Sequence, residues 1–260
     1  MNINKLVAHR GDNTNYPENS YAGLEAALKA GALSIEFDLQ MNAEGSLLVF
    51  HDIDFKRVSY KSNASREDGI EHIDSMGENY TSIFEITAEQ LKSFSVHQPD
   101  IFDNKHYPTR VPYFTEILEL LKQYPKAHAF VEIKRESLAY WGLSEVVDKV
   151  LAALKGFESQ VTIISFSLSA IKYTQQHSKL RTGFVFYQYN EYTHNNAKIL
   201  QPDYLICAYN IFPEKEALWK GDWQWMVYSI NDISTMEKVI KRDEISLIET
   251  DDISLMLRST

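Results

Sequence analysis

Residues 33–39 read LSIEFDL and residues 47–52 read LLVFHD. The first places Glu36 and Asp38 in an otherwise apolar strand, and the second ends an apolar strand on His51 and Asp52. Glu36 and Asp38 are two residues apart, so in an extended chain both side chains leave on one face. Residues 129–134, AFVEIK, repeat that spacing with Glu132 and Lys134. Three carboxylates converging on one buried place cannot all stay ionised without a compensating cation. Oxygen-only donors suit a hard divalent ion, Mg2+ or Ca2+, over zinc. Lys134 adds a fixed positive charge suited to a phosphate oxygen. The competing reading of Glu36, Asp38, Glu132 and Lys134 is a structural salt-bridge cluster.

His9 and Arg10 end an apolar run in VAHRG, and Gly11 permits a sharp turn there. Of the eight histidines, six (72, 97, 106, 128, 177, 194) read as ordinary hydrogen-bonded core residues. His9 and His51 differ because both stand at predicted strand ends beside the acids. Two imidazoles next to a bound phosphate supply a general base and a general acid near neutral pH.

These residues must be held by strands. Apolar runs of strand length occur at 6–9, 33–39, 129–134, 161–166, 181–187, 204–209, 225–230 and 245–250. Most precede a segment of helical periodicity, such as NSYAGLEAALKAGA, with Asn19 or Ser20 as its N-cap. The segment after residue 187 is the least periodic. Strand and helix alternating through short connections indicate parallel strands wrapped by helices. Eight such units predict an α/β fold of the (β/α)8 TIM-barrel type, with the site at the C-terminal mouth of the strands.

LLVFHD is a ninth strand and needs another role. It follows LSIEFDL after a Gly-containing connection of hairpin length, whereas a parallel crossover needs about a dozen residues or more. It is therefore expected to fold back antiparallel, and a turn centred near Glu44 and Gly45 puts Asp38 and His51 roughly opposite each other. Residues 53–111 interrupt the alternation with turn-rich stretches and one helical stretch, TAEQLKSF. A segment this long is an insertion within a single 1–260 domain, packed near the mouth as a lid, a specificity element or padding.

Composition bounds the function. The chain has 260 residues, 44% hydrophobic and 24% charged, as a soluble globular protein has. A net charge of −10 argues against nucleic acid as a partner. The single cysteine, Cys207, excludes an intramolecular disulfide and a cysteine-built zinc site. No stretch approaches the ~20 apolar residues of a membrane span. The N-terminus enters a strand by about Lys5, leaving no room for a signal peptide, which predicts a cytoplasmic protein. Oligomeric state has no signal in the sequence.

HRGDNTNYPENS, GALSIEFDLQMNAEGSLLVFHD and VEIK together resemble the glycerophosphodiester phosphodiesterase family. Its pattern is HRG…PEN[ST], then IE-x-D…HD, then a later E-x-K strand. Weaker similarity continues through DFKRVS, ITAEQLKSF, VPYFTEILELL, ISF, YSIN and IETDD, nearly the full chain. The resemblance implies a metal-dependent (β/α)8 enzyme that cleaves a small-molecule glycerophosphodiester into sn-glycerol 3-phosphate and an alcohol. By the same resemblance Glu36, Asp38 and Glu132 match the metal ligands. His9 and His51 match the catalytic pair, and Arg10 and Lys134 match the phosphate contacts. Glu18, in PEN, is read as the partner that orients Arg10.

Four positions depart from the pattern. Tyr228-Ser229 replaces the usual Trp-Thr, Glu249 stands at a usually apolar position, and Asp252 takes an aromatic place. None falls on the metal or imidazole positions, so the departures concern the glycerol-binding surface and the substrate. Tyr228 is expected at the mouth with its ring on the glycerol carbons, and Phe166 in the same apolar wall. Trp223 and Trp225 are assigned to packing. Two other functions compete with the diesterase: a lysophospholipase D-type activity on intact lysophospholipids, which needs an acyl channel, and a metal-binding barrel without turnover.

Overall fold

The computed structural model describes residues 3–59, 81–213 and 216–259. His72 and the turn-rich stretches 62–71 and 74–80 of the expected insertion lie outside the described residues. The strands are β1 (Leu6–Ala8), β2 (Ser34–Met41), β3 (Leu47–Val49), β4 (His128–Ile133), β5 (Val161–Ser165), β6 (Arg181–Phe186), β7 (Tyr204–Ala208), β8 (Gln224–Tyr228) and β9 (Ile245–Thr250). The helices are α1 (Tyr21–Lys29), α2 (Lys56–Ser59), α3 (Ala88–Leu91), α4 (Pro99–Phe102), α5 (Phe114–Lys122), α6 (Arg135–Trp141), α7 (Leu143–Ala153), α8 (Leu168–His177), α9 (Glu191–Leu200), α10 (Ile233–Ile240) and α11 (Ile253–Arg258).

Eight strands pair in parallel in the order β1-β2-β4-β5-β6-β7-β8-β9, and β9 pairs with β1 to close the barrel. This is the (β/α)8 architecture expected from the alternation. Each strand sends alternate residues to its two faces. On β2 the odd positions Ile35, Phe37, Leu39 and Met41 join the core between the strands and the surrounding helices. Glu36, Asp38 and Gln40 therefore face the other way, into the barrel. An apolar filling of Val7, Phe130, Ile164, Val185, Tyr204, Ile206, Met226 and Leu247 occupies that interior, with Phe166 and Tyr228 packed against it. The barrel is solid at that level, and the carboxylates sit in its wall.

Local sequence sets the helix boundaries. Ser20, rather than Asn19, caps α1 by accepting from the Gly23 amide at 3.0 Å. The poorly periodic segment after residue 187 does form a helix, α9, because Asn190 caps it. No helix among the described residues is long and apolar enough to cross a membrane.

β3 lies antiparallel on β2, as the short connection predicts, but one residue out of the expected register. Leu39 pairs with Val49 and Gln40 with Leu48, and the Phe50 amide donates to the Asp38 carbonyl at 3.0 Å. Phe50, not His51, thus stands opposite Asp38. The cause is Asn42, whose side-chain oxygen accepts from the Glu44 and Ser46 amides and centres the turn on Glu44. β3 stops at Val49, so His51 is freed from strand alternation.

Beyond the hairpin, the described residues of 53–111 contribute α2, α3 and α4. α3 is shorter than the helical stretch expected there, one turn with a Thr87–Gln90 capping box. α2 and α4 have no helical period in the sequence. This segment has an apolar cluster of its own, in which Phe50, Phe55, Ile83, Ile86, Phe94 and Val111 are buried.

Candidate active site at the barrel mouth

Glu36, Asp38 and Glu132 converge. One carboxylate oxygen from each lies within 4.8 Å of the others, and all three residues are buried. Strand register explains the meeting: Asp38 of β2 pairs with Glu132 of β4, and Glu36 is two residues earlier on the same face. Lys134 caps the start of α6 and brings its Nζ to 3.0 Å from Glu132 and 3.4 Å from Asp38.

Arg10 reaches the cluster from the end of β1. Its backbone is left-handed, with φ of 55°, an uncommon state for a residue with a side chain. That conformation presents the Arg10 amide to Glu36 Oε2 at 3.1 Å, while the side-chain Nε lies 3.3 Å from Asp38. Gly11 follows with φ of 90°, and a Cβ there would sit 2.7 Å from the Gly23 backbone of α1, so only glycine fits. Arg10 Nη1 also donates to Glu18 at 2.9 Å.

The resulting electrostatics are lopsided. Burial opposes the charge of Asp38, but Lys134, Arg10 and His51 together hold its carboxyl well below the usual range. Burial, then repulsion from Asp38 and Glu249, pushes Glu36 well above its usual value. Burial also raises Glu132, against the pull of Lys134. Carboxylates held this close favour a positive charge among them. Three buried oxygen donors at this spacing fit a hard divalent ion, and nothing sulfur- or nitrogen-bearing belongs to the set.

The two histidines flank the cluster, each fixed by an aspartate. His9 Nδ1 lies 2.6 Å from Asp251 Oδ1, and its Nε2 points toward Glu36 at 4.0 Å. His51 Nδ1 lies 2.7 Å from Asp52 Oδ1, and its charge is felt by both Asp38 and Glu132. Both aspartates resist protonation: against the burial that would raise them, the histidine hydrogen bonds help bring each down to about 2. A carboxylate accepts only, so Nδ1 of each ring donates and Nε2 is left free for chemistry.

Several polar partners were not singled out by sequence reasoning. Asn19, the last residue of the PEN triplet, donates to Asp38 Oδ2 at 2.9 Å and accepts from the Asp38 amide at 3.1 Å. Glu18 receives both terminal nitrogens of Arg57 at 2.6 Å, and Arg57 Nε donates to Asp52 at 2.8 Å. One charged chain therefore runs from Arg10 through Glu18, Arg57 and Asp52 to His51. Asp251 is held in turn by Asn13 and Asn231, at 2.9 and 2.5 Å. Asp52 and Asp251 carried a readable signal, since each is an acid next to a strand end at the mouth. Arg57 carried none, because its partners lie 39 and 5 residues away in sequence.

Tyr228 is half-buried at the end of β8, its ring centroid 6.3 Å from that of His9. Phe166 stacks on Tyr187 at 4.2 Å, and Arg135 lies over both rings. Trp225 is buried and Trp223 packs against the outer core, both donating to the Trp219 carbonyl at 3.2 Å. Of the other described histidines, His97 meets Ser95, His106 the Asn15 carbonyl, His128 Thr162, and His177 the Tyr173 carbonyl. His194 stacks on Trp219.

Comparison with known proteins agrees with this geometry. Residues 9–254 match the pattern of the glycerophosphoryl diester phosphodiesterase family. The chain is 29% identical over 261 aligned positions, covering 96% of both chains, to a glycerophosphodiester phosphodiesterase of Caldanaerobacter subterraneus subsp. tengcongensis. In fold it is similar to an Oleispira antarctica phosphodiesterase solved in complex with the product sn-glycerol-3-phosphate. That similarity has a TM-score of 0.79 at 18% identity, over 98% of this chain and 97% of the other. A glycerophosphodiester phosphodiesterase of Agrobacterium tumefaciens superposes with a TM-score of 0.71 at 20% identity, over 98% and 99% of the two chains.

Proposed function

The chain belongs to the glycerophosphoryl diester phosphodiesterase family, and from that premise we propose that it hydrolyses glycerophosphodiesters to sn-glycerol 3-phosphate and an alcohol, using one divalent cation and the pair His9 and His51. The observation that carries the reading is the pair of His–Asp couples beside one buried three-carboxylate cluster. A scaffold that only bound an ion has no use for two imidazoles each oriented through Nδ1.

Glu36, Asp38 and Glu132 would hold the cation, Mg2+ or Ca2+, with Lys134 and Arg10 alongside to meet the phosphate oxygens. When bound, such an ion polarises a phosphoryl oxygen and offsets charge that grows in the transition state. One histidine takes a proton at Nε2 from the attacking hydroxyl, of water or of the neighbouring glycerol carbon. As that oxygen bonds to phosphorus, the bond to the leaving alcohol breaks. The other histidine gives its Nε2 proton to the departing oxygen. Attack by the glycerol hydroxyl would pass through a cyclic phosphate that water then opens. Tyr228 beside His9 is assigned the glycerol carbons, with Phe166 as part of the same wall. The whole chain acts as one phosphodiesterase domain, with 53–111 as an insertion beside the mouth.

Substitution and leaving-group chemistry test the assignment. His9→Ala and His51→Ala are expected to stay folded and to lose turnover on glycerophosphocholine by about 10²-fold or more, the scale of acid–base catalysis. p-Nitrophenol needs no proton on leaving, so a p-nitrophenyl diester should rescue the variant lacking the acid and not the variant lacking the base. Equal rescue of both variants contradicts the two roles. Full activity in EDTA-treated enzyme without added metal contradicts the ion.

A further inference from the structure

One buried carboxylate at the mouth is left unused by this mechanism. Glu249 lies on β9, 3% exposed, in register with Val7 of β1. Val7 belongs to the apolar filling of the barrel, so Glu249 also points inward. On its other flank Val227 pairs with Ile248, which puts Tyr228 of β8 beside Glu249 at the next position. β1 separates β9 from β2, whose Glu36 also faces inward, and the charges of Glu36 and Glu249 oppose one another. The Glu249 Oε1 atom is sealed from solvent and has no hydrogen-bond partner.

As an anion, a buried carboxylate oxygen with no donor is unfavourable, so it either holds a proton or meets a positive charge supplied by something that binds. The groups around it do not supply that charge. Glu36, Asp38, Glu132 and Glu249 are four carboxylates, against which Arg10 and Lys134 bring two cations, and Arg10 is shared with Glu18. With all four ionised, as a bound cation would favour, two negative charges are left over, the charge of one divalent ion. We propose that Glu249 is a fourth acidic group of the cation site, acting from beside the three-carboxylate cluster to strengthen its hold on a divalent ion. This rests on the reading of that cluster as an ion site. It assigns a binding role to a position where the family pattern has an apolar residue.

Calorimetric titration of the metal-stripped full chain with Mg2+ and with Ca2+ tests it, comparing wild type with Glu249→Gln and Glu249→Ile. The glutamine keeps the volume and removes only the charge, and the isoleucine removes the polar group altogether. A circular-dichroism melt shows which variants fold. Both variants should still bind one ion per chain with Kd raised about 10-fold or more, as loss of a supporting carboxylate does at metal sites. Without metal both should melt higher than wild type, because a like-charge contact is gone. If wild type binds one ion and either folded variant binds it with unchanged Kd, Glu249 has no part in the site, although the site stands. If wild type binds no divalent ion, the ion reading falls and this proposal with it.

Discussion

His9 and His51 are each tied through Nδ1 to an aspartate that stays ionised down to about pH 2. The aspartate fixes the tautomer: with Nδ1–H committed, Nε2 is the atom that can accept or give a proton toward the carboxylate cluster. Asp251→Asn and Asp52→Asn offer an amide whose NH2 can face Nδ1 and stabilise the wrong tautomer. Each is expected to lower kcat by about 10-fold or more, part of the full acid–base contribution, with little change in melting temperature. Steady-state kinetics beside a thermal melt checks this. A kcat equal to wild type in both variants removes the aspartates from the mechanism. Arg10 is the other residue whose state matters. Burial opposes its charge, yet Asp38, Glu18 and Glu36 more than offset that and keep it cationic.

At the scale of elements, the hairpin and the segment after it decide where His51 stands. β3 ends at Val49, and Phe50 turns into a separate apolar cluster, its ring tilted against that of Phe55 with centroids 4.9 Å apart. Phe55 in turn meets Phe94 at 4.4 Å, so the anchor for the His51–Asp52 pair is the packing of 53–111. Arg57 of α2 adds the tie to Asp52 and Glu18. Phe55 is 1% exposed, and truncating a buried phenylalanine costs about 3–5 kcal/mol. Phe55→Ala is therefore expected to loosen this segment and cut kcat. Divalent-ion affinity should be retained, because Glu36, Asp38 and Glu132 stand on barrel strands that do not depend on it. Urea unfolding, kinetics and calorimetry on one preparation test the separation. Loss of ion binding in step with activity shows instead that the segment holds up the barrel mouth itself.

Across the whole molecule the two ends of the barrel carry different burdens. The mouth holds the convergent charges, while the opposite end is built for stability. There His128, at the start of β4, bonds to Thr162 of β5 and meets Arg181 of β6. Burial, with Arg181 adding repulsion, brings its pKa down to about 4. The folded chain thus keeps His128 neutral where an unfolded chain would protonate it near about pH 6.5. Its contribution to stability is complete above that pH and is lost progressively as pH falls towards 4. His128→Gln, which can still hydrogen-bond but does not titrate, should flatten the decline in unfolding free energy between pH 7 and 5. Parallel slopes in wild type and variant contradict the neutral buried histidine.

Strand–helix alternation, the short connection after β2 and the polar residues at strand ends determined the barrel, the hairpin and which acids and histidines share the mouth. Each is a local property, because side-chain periodicity and loop length are written within a few residues. The carboxylate triad was legible for the same reason, through Glu36 and Asp38 on one strand face and Glu132 and Lys134 on another. What the tertiary structure decided was pairing across distance. A side-chain hydrogen bond at Asn42 moved the hairpin register by one residue, and β3 ended early enough to release His51. Asp251 became the partner of His9 across 242 residues, because β9 closes on β1. Arg57 bridged Glu18 and Asp52 from a helix that has no periodicity to announce it. Ring closure set Glu249 beside Tyr228 of β8 and in register with Val7 of β1, a placement no local pattern announces. Composition and spacing can nominate a charged residue, but which charge it faces depends on how the barrel closes.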